Sequence, residues 1–241
     1  MHLISARSRA HSTKSLFKIA ACALSMTGVL ALAPVTTVAQ GGDTVPLPLA
    51  LPKAAFAGTP SNSPVSPNVE KPLGHPRPVP QVPKGTINLA LHKKVTSQKA
   101  PFSGSLDLIT DGNKEAASGT AVEIVPRLQW VQIDLGATSP LSYVVVWHFH
   151  EQPVVFHSVI VQVSNDPNFI EGVTTLYNND ATNVSGMGIG KDREYFETNE
   201  GRLIDAKGAK ARYVRLYSKG STYQDPLNRY TEVEVYGQPA K

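Results

Sequence analysis

The chain has one cysteine, no long helical period, no internal repeat and none of the short motifs that carry common catalytic chemistry, and each absence narrows what it can be. Cys22 sits in the N-terminal forty residues, so the remainder must be held by a hydrophobic core or a bound metal instead of disulfides. No nucleophile elbow, His-Glu-x-x-His or phosphate-binding glycine loop occurs, which removes the sequence grounds for enzyme activity of those kinds. Gly186-Met187-Gly188-Ile189-Gly190 imitates a nucleotide loop but lacks a strand before it and a helix after it, so it reads as a flexible loop. Asp166, Asp180, Asp192 and Glu194 would pair as glycosidase carboxylates only by accident of folding.

An excess of positive charge is missing too, once the N-terminus is set aside. Residues 1–39 hold Arg7, Arg9, Lys14 and Lys18, no acid, an apolar run from Ile19 to Val35 and small residues around Ala39. That is the pattern of a secretory signal peptide, and Ser25, Thr27 and Gly28 within the run speak against a membrane anchor. Ile19-Ala20-Ala21-Cys22 imitates a lipoprotein box without the apolar stretch that should precede it. Of the 23 Lys and Arg four go with this leader, leaving as many bases as the 19 acids. A near-neutral secreted or extracytoplasmic protein is expected, with no basic footprint for nucleic acid.

What the next segment has in abundance is proline. Residues 40–85 carry Pro46, Pro48, Pro52, Pro60, Pro64, Pro67, Pro72, Pro76, Pro78, Pro80 and Pro83. Proline removes backbone donors and favours extended polyproline conformations, so this stretch reads as a disordered linker, able to hold the domain away from a surface or to engage a protein partner.

Residues 86–241 are the foldable part, and they read as all-β. Alternating or β-branched runs occur at Gln129–Leu135, Ser142–Phe149, Ser158–Val163, Tyr213–Tyr217 and Thr231–Tyr236, with turn signals at Asp111-Gly112, Asn165-Asp166-Pro167 and Asn178-Asn179-Asp180. Short strands separated by turns predict a sandwich or jelly roll with marginal helix. Trp130, Val131, Ile133 and Leu135 make a strand apolar on both faces, as in the middle of a sandwich, and Tyr213, Val214 and Leu216 read the same way.

Six strings now fall into a familiar order: Asn88-Leu89-Ala90, Leu108-Ile109-Thr110-Asp111-Gly112-Asn113, Trp130 to Gly136, Val161 to Asp166, Ala211 to Leu216, and Glu232-Val233-Glu234-Val235-Tyr236-Gly237. Together they resemble the discoidin, or coagulation-factor C-type, domain over essentially Thr86 to Gly237. The resemblance implies an eight-stranded jelly roll similar to galactose-binding modules, including family 32 carbohydrate-binding modules and fucose lectins. It also implies noncatalytic binding of glycans or phospholipid surfaces.

The same resemblance implies a structural Ca²⁺ held by the carbonyl of Leu108, the side chain of Asp111, carbonyls of Asn113, Thr120 and Thr231, and the carboxylate of Glu232. A hard cation wants six to eight oxygens at once, and a tight turn presenting carbonyls and a carboxylate supplies many of them. The plainer reading is an ordinary turn, since Asp, Gly and Asn form turns for backbone reasons alone.

His148 and His150 are two apart on a predicted strand and share a face, with His157 a short loop away. A three-histidine transition-metal site is one reading; the cupin variant lacks its Glu, having Val154 and Val155 there. A buried face running out through Val144, Val146, His148 and His150 to a polar strand end is the simpler one. That strand end also makes a plausible sugar rim, for which His148, His150, Glu151, Arg193, Tyr195 and Tyr223 are the residues of the right kind. The fucose-lectin pattern of a His followed by Arg-x-Asp and a second Arg is absent. Phe102 and Met187 could serve as membrane spikes, but a neutral domain gains nothing from anionic lipid, so phospholipid ranks below glycan or cell-surface polysaccharide. Asn183-Val184-Ser185 is a sequon. The expectation is a secreted carbohydrate-binding module with one structural calcium; a protein-interaction or surface-assembly module of the same fold is the alternative.

Overall fold

The computed structural model describes residues 42–58 and 67–240. The leader expected at 1–39 lies outside the described residues. Among the described residues the only helical element is a 3-10 turn, Leu106–Ile109, and no helix is long and apolar enough to cross a membrane.

The strands are β1 (Thr44–Pro46), β2 (Gln81–Pro83), β3 (Ile87–Asn88), β4 (Val95–Ser97), β5 (Pro101–Ser103), β6 (Val122–Ile124), β7 (Gln129–His148), β8 (Ile160–Ser164), β9 (Thr174–Asn178), β10 (Arg202–Asp205), β11 (Lys210–Ser218) and β12 (Asn228–Gly237). The runs Gln129–Leu135 and Ser142–Phe149, separate in the sequence reading, are two halves of the single strand β7. Its first half pairs with β11 and β4, and its second with β12 and β10. The exposed corner at Gly136–Thr138 lets one strand serve both layers. Gly136 takes φ +88° there, and its N–H donates to Asp134 Oδ1 at 2.8 Å. The result is a jelly-roll sandwich: β5-β6-β12-β7-β10 form one sheet, with β3 on the end of β12, and β4-β7-β11-β8-β9 form the other.

Period-two alternation sends Val131, Ile133, Val144, Val146, Val161, Val163, Val214, Leu216, Val233 and Val235 into one common core. The opposite face of β7 and β12 is apolar as well, through Val145, Trp147 and Tyr236, and the proline-rich segment covers it. Leu47 and Val82 are buried against those three side chains.

The expectation of a disordered linker over 40–85 is therefore corrected for the described residues. Strands β1 and β2 pair antiparallel, Thr44 with Pro83 and Pro46 with Gln81. Glu70 and Glu194 link by backbone, with Glu70 N–H donating to the Glu194 carbonyl at 2.8 Å and Glu194 N–H to that of Asn68 at 3.0 Å. Proline costs the segment its donors but none of its acceptors, and the sandwich supplies donors to match. Asn199 Nδ2 donates to Pro52 O at 3.1 Å, Arg193 Nη1 to Pro67 O at 2.5 Å, and the Tyr236 hydroxyl lies 3.3 Å from Pro48 O. We call the two arms, 42–58 and 67–84, the strap.

Candidate functional site

The predicted sugar rim does not form. His148 is fully buried; its ring stacks on Phe156 at 4.4 Å, and Nδ1 meets Glu197 Oε1, itself fully buried, at 2.7 Å. His150 is buried too, with Nε2 2.9 Å from the Lys114 carbonyl. His157 pairs instead with Glu194, Nδ1 to Oε1 at 2.8 Å. Each ring is claimed by a different partner, and among the described residues no three His, Cys, Asp or Glu side chains are grouped to hold a metal. The face that begins with Val144 and Val146 stays buried through His148, so the simpler reading of this strand is the right one.

The other rim candidates are scattered. Glu151 is exposed on the loop after β7. Tyr223 packs edge-on against Phe149 at 5.2 Å under the Arg229 guanidinium. Arg193 fastens the strap, and Tyr195 is 5% exposed, with the Arg202 guanidinium 4.9 Å from its ring centre.

The calcium candidates fare differently, because the fold brings their two carboxylate-bearing segments together. Asp111 Oδ1 accepts the N–H of Asn113 at 2.8 Å, an Asx turn made possible by Gly112 at φ +87°. The N–H of Gly112 donates to Glu232 Oε2 at 3.2 Å. Glu232 is completely buried, yet its Oε1 has no hydrogen-bond partner. Burial pushes its carboxyl up to about 9 against the pull of the Gly112 N–H, and the charges of Glu234 and Asp111 add to the rise. A buried carboxylate with one oxygen unmet is costly, and two carboxylates beside turn carbonyls are oxygen donors of the kind a hard cation requires, although the Lys114 ammonium, held by Glu234, pulls the other way. The residues present fit such an ion.

Around this pair, Glu234 is spoken for by the Lys114 ammonium and by the Tyr236 hydroxyl. The Thr120 hydroxyl donates within its own loop, to the carbonyls of Glu115 and Ala117, while the Thr231 hydroxyl donates to the His148 carbonyl. The side chains of Thr120 and Thr231 are thus committed; only their carbonyls remain for the role expected of them. Leu108 lies in the 3-10 turn that leads into Asp111.

A cleft of about 460 Å³ lies where the strap meets the segment leading into β10. Phe56, Leu73, His75 and Arg77 come from the strap, and Phe196, Asn199, Glu200 and Arg202 from the sandwich. Arg77 closes one end: Nη1 and Nη2 donate to the carbonyls of Gly201 and Glu200 at 2.7 and 2.8 Å, and its own N–H donates to the Glu200 carboxylate at 3.1 Å. Glu70 of the strap accepts from Arg202 Nη1 at 2.7 Å. Apolar rings and charged or amide groups thus line one concavity, the mix found in small-molecule sites. Of the residues singled out from sequence, only Tyr195 reaches it. The rest were missed because half the cleft belongs to a segment read as a spacer.

No family profile and no curated protein matches the chain. Among solved structures it is similar to chitosan-binding module 1 of a chitosanase/glucanase from Paenibacillus sp. IK-5, at 24% identity over 63% of this chain and 99% of that one, with a TM-score of 0.42. It is also similar to a fucose-binding module of Streptococcus pneumoniae, at 18% identity over 64% and 99% of the two chains, TM-score 0.44. A third is the family 32 module of AlyQ in complex with 4,5-unsaturated mannuronic acid, at 19% identity over 59% and 92%, TM-score 0.40.

Proposed function

We propose that this chain is an exported, noncatalytic carbohydrate-binding module stiffened by one structural calcium ion. The cleft beside the strap carries the reading. Its apolar side, from Phe56, Leu73 and Phe196, suits the C–H face of a pyranose, while His75, Asn199, Glu200 and Arg202 offer donors and acceptors for hydroxyls.

The calcium half rests on Glu232 and Asp111. An ion bound there would be held by the Glu232 carboxylate, Asp111 and turn carbonyls, and would supply the positive charge that this buried acid lacks. Its work is structural: it would tie the Asp111 turn, 3-10 turn included, to β12.

The test is to probe a glycan array with the full chain in calcium and again in chelator, and to record thermal unfolding in the same two buffers. Binding to one sugar class, with a higher melting temperature in calcium, is the expected outcome. A folded chain that binds no glycan would overturn the carbohydrate reading and favour a protein-interaction module acting through Leu51, Leu73 and Val79, apolar side chains that the strap leaves exposed. An unchanged melting temperature would overturn the calcium.

A further inference from the structure

We infer that the strap is a built-in wall of the ligand cleft: Phe56 and His75, which lie outside the sandwich, line it together with the Thr198–Gly201 turn and help set which sugar binds. The inference rests on the carbohydrate reading above and deepens it. The recognition unit would then begin near residue 42 and not with β3.

Of the fastenings that place the strap, three bear most on the cleft. Leu47 and Val82 plug the apolar face made by Val145, Trp147 and Tyr236. Backbone pairing joins its second arm to the sandwich at Glu70 and Glu194. Arg77 grips the carbonyls of Glu200 and Gly201. A mobile spacer would show none of these, and apolar side chains buried this fully are the general mark of an integral element.

The third fastening matters most for recognition, because it acts on the opposite wall. The turn Thr198–Gly201 is held from both sides. From within, Trp147 Nε1 donates to the Asn199 carbonyl at 2.9 Å, and Gly201 lies so close to the indole that a methyl group at its Cα would sit 2.6 Å from the ring. From without, Arg77 takes the next two carbonyls. The strap therefore supplies one wall and fixes the shape of the other, leaving Phe56 and His75 at the surface of the cleft as the side chains free to read a ligand. His75 is exposed, and its Nδ1 lies 2.9 Å from the Pro76 carbonyl.

The test uses full-length variants on an array of neutral, amino and uronic-acid oligosaccharides. Phe56→Ala and His75→Ala should each lower the wild-type array signal tenfold or more while circular dichroism stays unchanged. The double variant Leu47→Asp/Val82→Asp should abolish the signal, retain the β spectrum, and open Trp147 to acrylamide quenching. If both single variants bind as wild type does, the inference fails while the carbohydrate reading stands. If Trp147 remains as shielded in the double variant as in wild type, the strap is not what covers it and the inference fails again. A folded wild type that binds nothing overturns the carbohydrate reading, and this inference with it.

Discussion

Glu232 is the residue on which the metal proposal turns. Without a cation its buried carboxyl keeps a proton, its pKa being pushed up to about 9, and a cation at the unpartnered oxygen would displace that proton and hold the carboxylate. Calcium should raise the melting temperature of the wild-type chain by several degrees, since a ligand that binds only the native state stabilises it by mass action. Glu232→Gln keeps the volume, removes the charge, and should abolish that shift. Gly201 carries a second prediction. It sits at φ +60° against Trp147, so Gly201→Ala should cost about 1–3 kcal/mol in urea unfolding by combining backbone strain with overpacking. Gly208, at φ +73° with open space about it, pays only the backbone part, and its alanine variant should lose less. A third concerns acid. Arg212 holds the Asp134 carboxyl below its ordinary value, Arg229 does so for Asp225, and the N–H groups of Asn168 and Ile170 for Asp166. A carboxyl lowered in the folded state adds stability that is complete above its unfolded value, about pH 4, and is lost as pH falls through the folded one. The urea midpoint should therefore fall below about pH 4, and Arg212→Ala should make that fall shallower. Little of this was legible beforehand. Asp111 and Glu232 were visible as residue types in a familiar order, but the missing partner of one carboxylate oxygen exists only in three dimensions.

At the scale of elements, the sequence reading succeeded where alternation is strong and failed where it is interrupted. The strands around Ile133, Val163, Val214 and Val233 were plain from period two, because their inward residues meet one core. The continuity of β7 was not, because exposed Gly136, Ala137 and Thr138 look like a loop when they are a corner inside a strand. His148 and His150 were read three ways, as metal ligands, as a sugar rim and as the end of a buried face, and both side chains are buried. Proline misled most. A segment with few backbone donors was taken to be unable to pack, yet it docks by its carbonyls and by two apolar side chains. One clue was available: Val145 and Trp147 give β7 a second apolar face, and such a face must be covered by something. If the strap is docked as described, the amide of Leu47, which donates to the Pro80 carbonyl at 2.9 Å, should exchange with solvent at least a hundredfold more slowly than an unstructured amide. Exchange at the unstructured rate would return the segment to the status of a spacer.

For the molecule as a whole, ligand binding is proposed for the cleft beside the strap. A sugar held there as proposed would bind once per cleft and bury apolar surface of its ring. The direct measurement is calorimetric titration of the full chain, in calcium, with the oligosaccharide that gives the highest array signal. One-to-one binding with a negative heat-capacity change, lost in Phe56→Ala, is the expected result. No heat and no saturable binding with oligosaccharides of any class on the array, from a chain shown to be folded, would contradict it.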